Sequence, residues 1–169
     1  MAKVLLIIAP KNFRDEELFQ PKEVLEGAGH SCTIASTTTN ECTGMLGATV
    51  KPDVNVAGVD ANDYDAIVMI GGSGSLELVG NKAVLDLFRD AKEKGKIIGA
   101  ICAGPLVPAN AGVLRGVAAT MFPNPEYIKK LKSLGVDYVE KDVVVDGRIV
   151  TACGPKAAKE FGKALAGLL

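Results

Sequence analysis

The sequence predicts an α/β fold in which a mostly parallel sheet is covered by helices on both faces. Short apolar runs of strand length recur along the chain, and none is long enough to form a long helix. Segments with the apolar spacing of a helix lie between these runs, and several end at a glycine. Such alternation is typical of a parallel sheet between two helical layers. The length of 169 residues suits one domain, residues 1–169.

The first half of the chain predicts three strands and two helices. The strands are the apolar runs at residues 4–9 and 66–70 and the alternating stretch at residues 31–36. Between the first two we expect a helix that begins near Gln20 and ends before Gly29, because Pro21 is tolerated only in a first turn. Residues 40–50 contain turn-forming residues and predict an excursion or a small hairpin. The apolar face of the second helix comprises Val84, Leu85, Phe88 and Ala91.

The second half continues the same alternation. Residues 97–101 predict a buried strand, and residues 117–119 a short one. The dipeptide Asp146-Gly147 between two β-rich runs is a strong hairpin signal. A final helix is expected to begin at Pro155. The helix between the last strands has its apolar face at Tyr127, Ile128, Leu131 and Leu134.

Cys102 is the candidate nucleophile. It directly follows the strand at residues 97–101, and we expect a short helix over residues 103–111, ended by Gly112. Cys102 would then occupy a sharp, glycine-flanked strand-to-helix turn, which is the geometry of a nucleophile elbow with sulfur in place of a hydroxyl. The positive end of the helix would favour the thiolate by up to about 2 kcal/mol.

An inert core cysteine is the ordinary alternative for the same residue. Free cysteines are among the most frequently buried residues. A strongly acidic thiol would need a hydrogen-bond donor beyond the helix. Pro108 lacks a backbone N–H and indicates that the helix bends or begins late. From this stretch alone, a reactive thiol and a core cysteine both remain open.

A glycine-rich loop, Gly71-Gly72-Ser73-Gly74, follows the strand at residues 66–70. Such loops can bind phosphate through backbone N–H groups, but GGSGSLE lacks the GK[ST] of a P-loop and the full GxGxxG of a dinucleotide site. We expect instead that the N–H groups of Gly72 and Ala103 form an oxyanion hole beside the sulfur. A plain loop is the alternative.

Glu17 is the third candidate at the edge where strands end and helices begin. We place it in the turn that leads to the first helix. Two negative charges cannot both lie close together in a dry site, so a carboxyl beside a thiolate would keep its proton and donate a hydrogen bond to the sulfur. Asp15 and Glu16 are interpreted as ordinary acidic residues near a helix N-terminus.

Composition argues against several classes of function. The net charge of −1, with no basic stripe, argues against a nucleic-acid partner. No apolar run could span a bilayer, and the N-terminal segment lacks the flanks of a signal peptide, so we expect a cytoplasmic protein with no membrane partner. With one histidine, His30, and four scattered cysteines, we expect free thiols and neither a metal nor another cofactor.

The motifs at these sites resemble the ThiJ/PfpI family of the class I glutamine amidotransferase-like superfamily, which includes archaeal intracellular proteases and a deglycase associated with Parkinson's disease. The resemblance covers essentially the whole chain, through NFRDEELFQP, MIGGSG, GAICAGP, AGVLRG and GVDYVEKDVVVDGRIVTACGP. It implies a flavodoxin-like three-layer sandwich and a homodimer or higher homo-oligomer with the active site near an interface. It also implies Cys102 as nucleophile, Glu17 as its carboxyl partner, and Gly71, Gly72 and Ala103 around the oxyanion or substrate.

Three positions depart from the family pattern. Ala103 stands where the protease branch has histidine, which disfavours a peptidase because a departing amine must be protonated. Phe122 stands where relatives have an imidazole or a tyrosine, and Cys153 where arginine is often found, so both predict a less polar pocket. Cys153 either packs in the core or lies within reach of Cys102 for a reversible disulfide.

The resemblance predicts a cysteine-dependent enzyme that acts on a small reactive carbonyl such as methylglyoxal, of the glutathione-independent glyoxalase or deglycase type. Cys102 would form a hemithioacetal while Glu17 moves a proton and backbone N–H groups hold the oxyanion. An intracellular cysteine peptidase that cleaves peptides is the alternative enzyme. A non-catalytic redox sensor or stress chaperone is the alternative of another class, since an acidic exposed thiol is prone to oxidation.

Overall fold

The computed structural model describes residues 1–169. Its strands are β1 (Lys3–Ile7), β2 (Lys11–Phe13), β3 (Ser31–Ser36), β4 (Cys42–Gly44), β5 (Thr49–Val50), β6 (Val54–Asn55), β7 (Ala66–Met69), β8 (Ile97–Ile101), β9 (Ala118–Ala119), β10 (Asp137–Tyr138), β11 (Val143–Asp146) and β12 (Ile149–Ala152). Its α-helices are α1 (Asp15–Gly27), α2 (Lys82–Glu93), α3 (Leu106–Asn110), α4 (Pro125–Ser133) and α5 (Ala158–Leu168). Short 3-10 helices lie at Val56–Gly58, Ala61–Asp63, Ser73–Leu78 and Pro155–Ala157.

Seven strands form the central sheet, in the order β11-β12-β8-β7-β1-β3-β6. All neighbouring pairs are parallel except the hairpin of β11 and β12, which turns at the predicted Asp-Gly dipeptide. The residues of β7 and β8 are all buried, as expected for parallel strands with helices on both faces. The predicted fold class is confirmed.

Two apolar cores lie on opposite faces of the sheet, because successive side chains of a strand point to opposite sides. Leu5 of β1 belongs to the core under α2, α3 and α4, together with Phe88. The next residue, Leu6, belongs to the core under α1 and α5, together with Phe161. The sheet therefore forms the middle of three layers. No helix combines the length and the apolar character that crossing a membrane would require.

Two small sheets flank the central one. One contains β2, β4 and β5, and the other contains β9 and β10. The predicted hairpin within residues 40–50 is the antiparallel pair of β4 and β5. Strands β2, β6 and β10 were not predicted, because two or three residues are too few to display a periodic apolar pattern.

The first helix begins earlier than the sequence predicts. It begins at Asp15 rather than near Gln20, and Pro21 lies inside it. The cause is a tertiary contact: the backbone N–H of Arg14 donates to the Gly71 carbonyl at 3.0 Å, while the Arg14 carbonyl accepts the N–H of Glu17 at 3.1 Å. Glu17 consequently lies in the first turn of α1 and not in a preceding loop.

The helix after Cys102 is shorter than predicted. It begins at Leu106 and not at residue 103, and it has only five residues. The N–H of Gly104 donates to the Ile101 carbonyl and that of Leu106 to the Ala103 carbonyl, which is the three-residue spacing of turns rather than of an α-helix. Such a short helix has little macrodipole, so the predicted helix-dipole effect on the thiol is largely absent.

Candidate active site

Cys102 occupies a strained turn directly after β8. Its φ angle is +64°, a region that residues with a side chain rarely adopt. Hydrogen bonds hold this backbone on both sides: the Cys102 N–H donates to the Ala152 carbonyl, and the Cys102 carbonyl accepts the N–H of Phe122, each at 2.9 Å. Strain that the surroundings enforce is typical of functional positions. The structure thus contains the cysteine elbow that the sequence predicts.

Gly71 brings Cys102 and Glu17 together. A side chain at residue 71 would collide with the Glu17 carboxyl and with the Ile101 carbonyl, and its Cβ would lie 2.6 Å from the Cys102 Cβ. Only glycine leaves this space free, so the end of β7, the first turn of α1 and the elbow after β8 converge at one point. The candidates that the sequence scatters along the chain are neighbours in the structure.

Glu17 is a buried carboxyl without a satisfied partner. Its side chain has no exposed surface, and neither carboxyl oxygen has a hydrogen bond of standard geometry. Burial raises the pKa of this carboxyl from an ordinary value of 4.5 to about 8, while the Cys102 sulfur, the Arg14 charge and the Gly71 N–H lower it. At neutral pH Glu17 therefore carries a proton that it can donate.

The Cys102 thiol is subject to opposing influences. Burial first, and then the charge and hydrogen bond of Glu17, raise its pKa to about 12. The backbone N–H groups of Gly72 and Ala103 face the sulfur and lower the pKa. The influence of Glu17 on this pKa changes sign when Glu17 is protonated, because its charge is then gone and the carboxyl becomes a donor toward sulfur.

A small cavity opens onto the sulfur. It has a volume of about 160 Å³, and Cys102 is 9% exposed within it. Its wall includes the predicted residues Gly72, Ala103 and Phe122, and Phe122 is 40% exposed at the rim. The remaining lining residues, which sequence reasoning did not single out, are Arg14, Met45, Ser73, Tyr127 and Pro155.

Asp15 positions one wall of this cavity. Its buried carboxylate accepts the backbone N–H groups of Leu46 and Ala48 at 3.0 and 2.9 Å, across the turn between β4 and β5. That turn carries Met45 over the cavity. The interpretation of Asp15 as a simple helix-terminal charge is therefore incomplete. The partners lie 31 and 33 residues from Asp15, so no local sequence pattern indicates this contact.

Cys153 does not line the cavity of Cys102, so the prediction that it contributes to that pocket is wrong, whereas the alternative of packing in the core is confirmed. Its sulfur lies 3.7 Å from the Asp142 carboxylate, and it lines a separate cavity with Lys156. The structure contains no disulfide. The β8–β12 register brings the two strand ends side by side, and both cysteines belong to the apolar core under α1 and α5.

His30 is remote from the elbow. Its Nδ1 accepts the backbone N–H of Ala2 at 3.1 Å, and it lines a different cavity with Met1 and the C-terminal residue Leu169. His30 precedes β3, whereas the elbow follows β8, so the two lie at opposite edges of a parallel sheet. Because it is the one histidine in the sequence, Cys102 has no imidazole partner.

Comparison with known proteins identifies relatives along nearly the whole chain. The profile described as the DJ-1/PfpI family matches residues 2–167. An uncharacterized protein of Methanocaldococcus jannaschii is 46% identical over 162 residues, which cover 95% of this chain and 79% of that protein. A protein named deglycase from Pyrococcus horikoshii is 35% identical over 153 residues, covering 90% of each chain.

Solved structures of ThiJ/PfpI and DJ-1 proteins are also similar to this chain. The crystal structure of a ThiJ/PfpI domain protein from Brachyspira murdochii superposes with a TM-score of 0.94 at 31% identity, covering 98% of this chain and 95% of that one. Drosophila melanogaster DJ-1beta superposes with a TM-score of 0.90 at 33% identity, covering 99% of this chain and 90% of that one.

Proposed function

Because the chain belongs to the DJ-1/PfpI family, we propose that it is a cysteine-dependent enzyme that acts on small reactive carbonyl compounds, of the glyoxalase or deglycase type. The observation that carries the proposal is the convergence of Cys102 and the buried Glu17 at Gly71, beside a cavity open to small solutes. Relatives named deglycase support the same reaction class.

In the reactive form of the site, Cys102 and Glu17 together have lost one of their two protons. We infer that the proton lost is that of the sulfur, although burial raises the pKa of both groups. The N–H groups of Gly72 and Ala103 face the sulfur, whereas the Glu17 carboxyl has no hydrogen bond of standard geometry. A single negative charge is therefore better solvated on sulfur, with the remaining proton on Glu17.

Addition to an aldehyde uses this arrangement directly. The Cys102 sulfur forms a bond to the carbonyl carbon, and the electron pair of the C=O double bond moves to oxygen. Backbone N–H groups of Gly72 and Ala103 stabilise the developing oxyanion, and Glu17 transfers its proton to it. The product is a neutral hemithioacetal beside a carboxylate.

For a 2-oxoaldehyde the Glu17 carboxylate then acts as the base. It removes the hydrogen on the former aldehyde carbon as a proton, which gives an enediolate, and returns that proton to the adjacent carbon. The hydroxyl proton of the hemithioacetal moves to the neighbouring oxygen in the same step, so that the first carbon becomes the thioester carbonyl and the second carries the hydroxyl. The result is a thioester of a 2-hydroxy acid on Cys102. Water hydrolyses the thioester and regenerates both residues, so one 2-oxoaldehyde and one water give one 2-hydroxy acid.

The peptidase alternative lacks a supporting observation. A peptidase must protonate a departing amine, which usually requires histidine, and the single histidine lies at the other edge of the sheet. Met45 and Phe122 also restrict the entrance to a cavity of about 160 Å³. Both features suit a short carbonyl compound better than a polypeptide.

A homo-oligomer, predicted from the family resemblance, also remains a proposal. The exposed large apolar side chains Phe19, Met45, Leu46 and Phe122 lie on or beside the elements around the cavity. Burial of such side chains between copies would be favourable at about 25 cal/mol per Å² of apolar surface. Light scattering coupled to size-exclusion chromatography measures the mass that decides it.

Conversion of methylglyoxal to lactate by the purified protein tests the proposal. We expect turnover to be abolished by Cys102→Ser and strongly reduced by Glu17→Ala, whereas Cys32→Ser, at a half-buried thiol on β3, retains it. Unchanged rates in both active-site variants would contradict the mechanism. Selective oxidation of Cys102 by mild peroxide without measurable turnover would instead support the redox-sensor alternative.

A further inference from the structure

Arg14 is the only lysine, arginine, aspartate or glutamate that lines the Cys102 cavity. The other wall residues contribute apolar surface, glycine backbone or the hydroxyls of Ser73 and Tyr127. The hydrogen bond to Glu16 is the main cause that raises the pKa of the Arg14 guanidinium, and negative charge on Glu17 or Cys102 raises it further, so all three groups lie close to it. None of the steps derived above requires this cation.

The guanidinium is held in a fixed orientation with one face free. Its Nε and one terminal nitrogen donate to the two carboxylate oxygens of Glu16 at 3.2 and 3.3 Å. An arginine has five N–H donors, so three remain, two of them on the other terminal nitrogen. The pair is partly exposed, with 30% of the Arg14 side chain accessible, and a partly exposed ion pair of this kind contributes little to stability. Its consequence is orientation: Glu16 fixes the plane of the guanidinium at the cavity.

We propose that Arg14 is a specificity-determining residue, and that it binds the carboxylate of an anionic 2-oxoaldehyde while Cys102 attacks the aldehyde carbon. The inference rests on the proposed function, because it names the substrate class of the same site. It goes beyond that function, because the proposed reaction needs no charge on its substrate and an uncharged compound such as methylglyoxal would be sufficient.

Charge and size both favour a short carboxylate. The free edge of a guanidinium matches the two oxygens of a carboxylate and forms parallel hydrogen bonds with it. An anion would otherwise be repelled by the negative charge of the Cys102–Glu17 pair, and Arg14 offsets that repulsion. The apolar side chains of Met45 and Phe122 can contact the carbon chain between the two ends of the substrate. A singly charged compound suits a cavity with one cation in its wall.

Two substrates of equal chain length separate charge from reactivity. The first is 4,5-dioxopentanoate, which carries a carboxylate, and the second is 2-oxopentanal, which does not. We expect kcat/KM for the anion divided by kcat/KM for the neutral aldehyde to fall about 10- to 100-fold in Arg14→Gln, mostly through KM, as for loss of a charged hydrogen-bonded pair. Arg14→Lys should retain part of the preference, because lysine keeps the charge but not the planar set of donors. An unchanged ratio in Arg14→Gln would overturn the proposal.

Thiol alkylation gives a second readout that does not depend on turnover. Iodoacetate and iodoacetamide are nearly isosteric and differ in charge, and mass spectrometry measures the rate of each at Cys102. We expect the ratio of the two rates at Cys102 to fall about tenfold or more in Arg14→Gln, while the same ratio at half-buried Cys32 does not change. An equal ratio of iodoacetate to iodoacetamide rates at Cys102 in the native protein and in Arg14→Gln would refute the anion site. A shifted ratio in a protein that turns over neither aldehyde would support the anion site and refute the proposed function alone.

Discussion

The carboxyl of Glu17 and the side chain of Cys102 meet across the bare Cα of Gly71, although α1 and the end of β8 are far apart in the sequence. Their closeness couples two ionisations in a site with almost no access to bulk water. A protonated Glu17 is a donor for the sulfur, whereas an ionised Glu17 repels a thiolate. The chemistry of the site therefore depends on which of the two groups holds the proton.

Glu17→Gln should separate thiol reactivity from turnover. The amide of Gln can donate a hydrogen bond to sulfur but cannot transfer a proton. We expect alkylation of Cys102 by iodoacetamide to stay within about threefold of the native rate, while methylglyoxal turnover falls about 100-fold or more. Mass spectrometry and a lactate assay measure the two rates.

Glu17→Leu is the matched control for that variant. Leucine fills similar space but offers no donor, so alkylation and turnover should both fall. If the Gln variant lost alkylation to the same extent as the Leu variant, the donor role of Glu17 would be wrong.

The raised pKa of Glu17 should make stability depend on pH. The carboxyl has an ordinary pKa of 4.5 when exposed and a pKa of about 8 in the folded protein, so the native state holds the proton more tightly. Its contribution is fully present below pH 4.5 and is lost as the pH rises toward 8, by at most about 1.4 kcal/mol per pH unit. Urea unfolding across this window should show that the free energy of unfolding of Glu17→Gln rises relative to that of the native protein as the pH increases. Glu23→Gln, at an exposed position of α1, is the control. Parallel pH profiles of the native protein and Glu17→Gln would contradict the buried neutral carboxyl.

Gly71→Ala should damage both stability and catalysis. The new methyl group would collide with the Glu17 carboxyl, the Ile101 carbonyl and the Cys102 Cβ. We expect a loss of about 1–3 kcal/mol in the free energy of unfolding, as for other overpacked sites, and a large loss of turnover. Gly80→Ala is the matched control, because nothing lies within 4 Å of its added Cβ. Equal effects of the two substitutions would show that close packing at residue 71 is unimportant.

The sequence predicted those parts of the molecule that local patterns determine. The buried strands β7 and β8 of the central sheet are continuous apolar runs, and the elbow at Cys102 follows from a strand that ends among small residues. The start of α1 was predicted wrongly because Pro21 suggested a first turn, whereas the residue before the helix, Arg14, is held by a hydrogen bond to Gly71 in the loop after β7. Arg14 and Met45 were not predicted as site residues, because the cavity wall is formed by segments that meet only in the folded chain.

Asp15→Ala should release the turn between β4 and β5. The substitution removes two charge-assisted hydrogen bonds, to the N–H groups of Leu46 and Ala48, at a buried position. We expect a loss of about 2–4 kcal/mol in the free energy of unfolding, together with faster amide exchange at residues 45–48. Chemical denaturation and hydrogen exchange measure these effects. Glu23→Ala, an exposed change on the same helix, should produce neither, and retained protection of the turn in Asp15→Ala would show that Asp15 is not its anchor.

Oxidation should not join Cys102 to Cys153. The Cys153 sulfur faces Asp142 in a separate cavity, and burial followed by the Asp142 charge raises the pKa of its thiol, so it is poorly placed and weakly nucleophilic. After mild peroxide treatment, non-reducing peptide mapping should find sulfenic or sulfinic acid at Cys102 and no peptide that links the two cysteines. Cys153→Ser should give the same oxidation pattern at Cys102 and retain turnover. A Cys102–Cys153 disulfide formed in high yield would show that the two sulfurs form a redox pair, although they line different cavities.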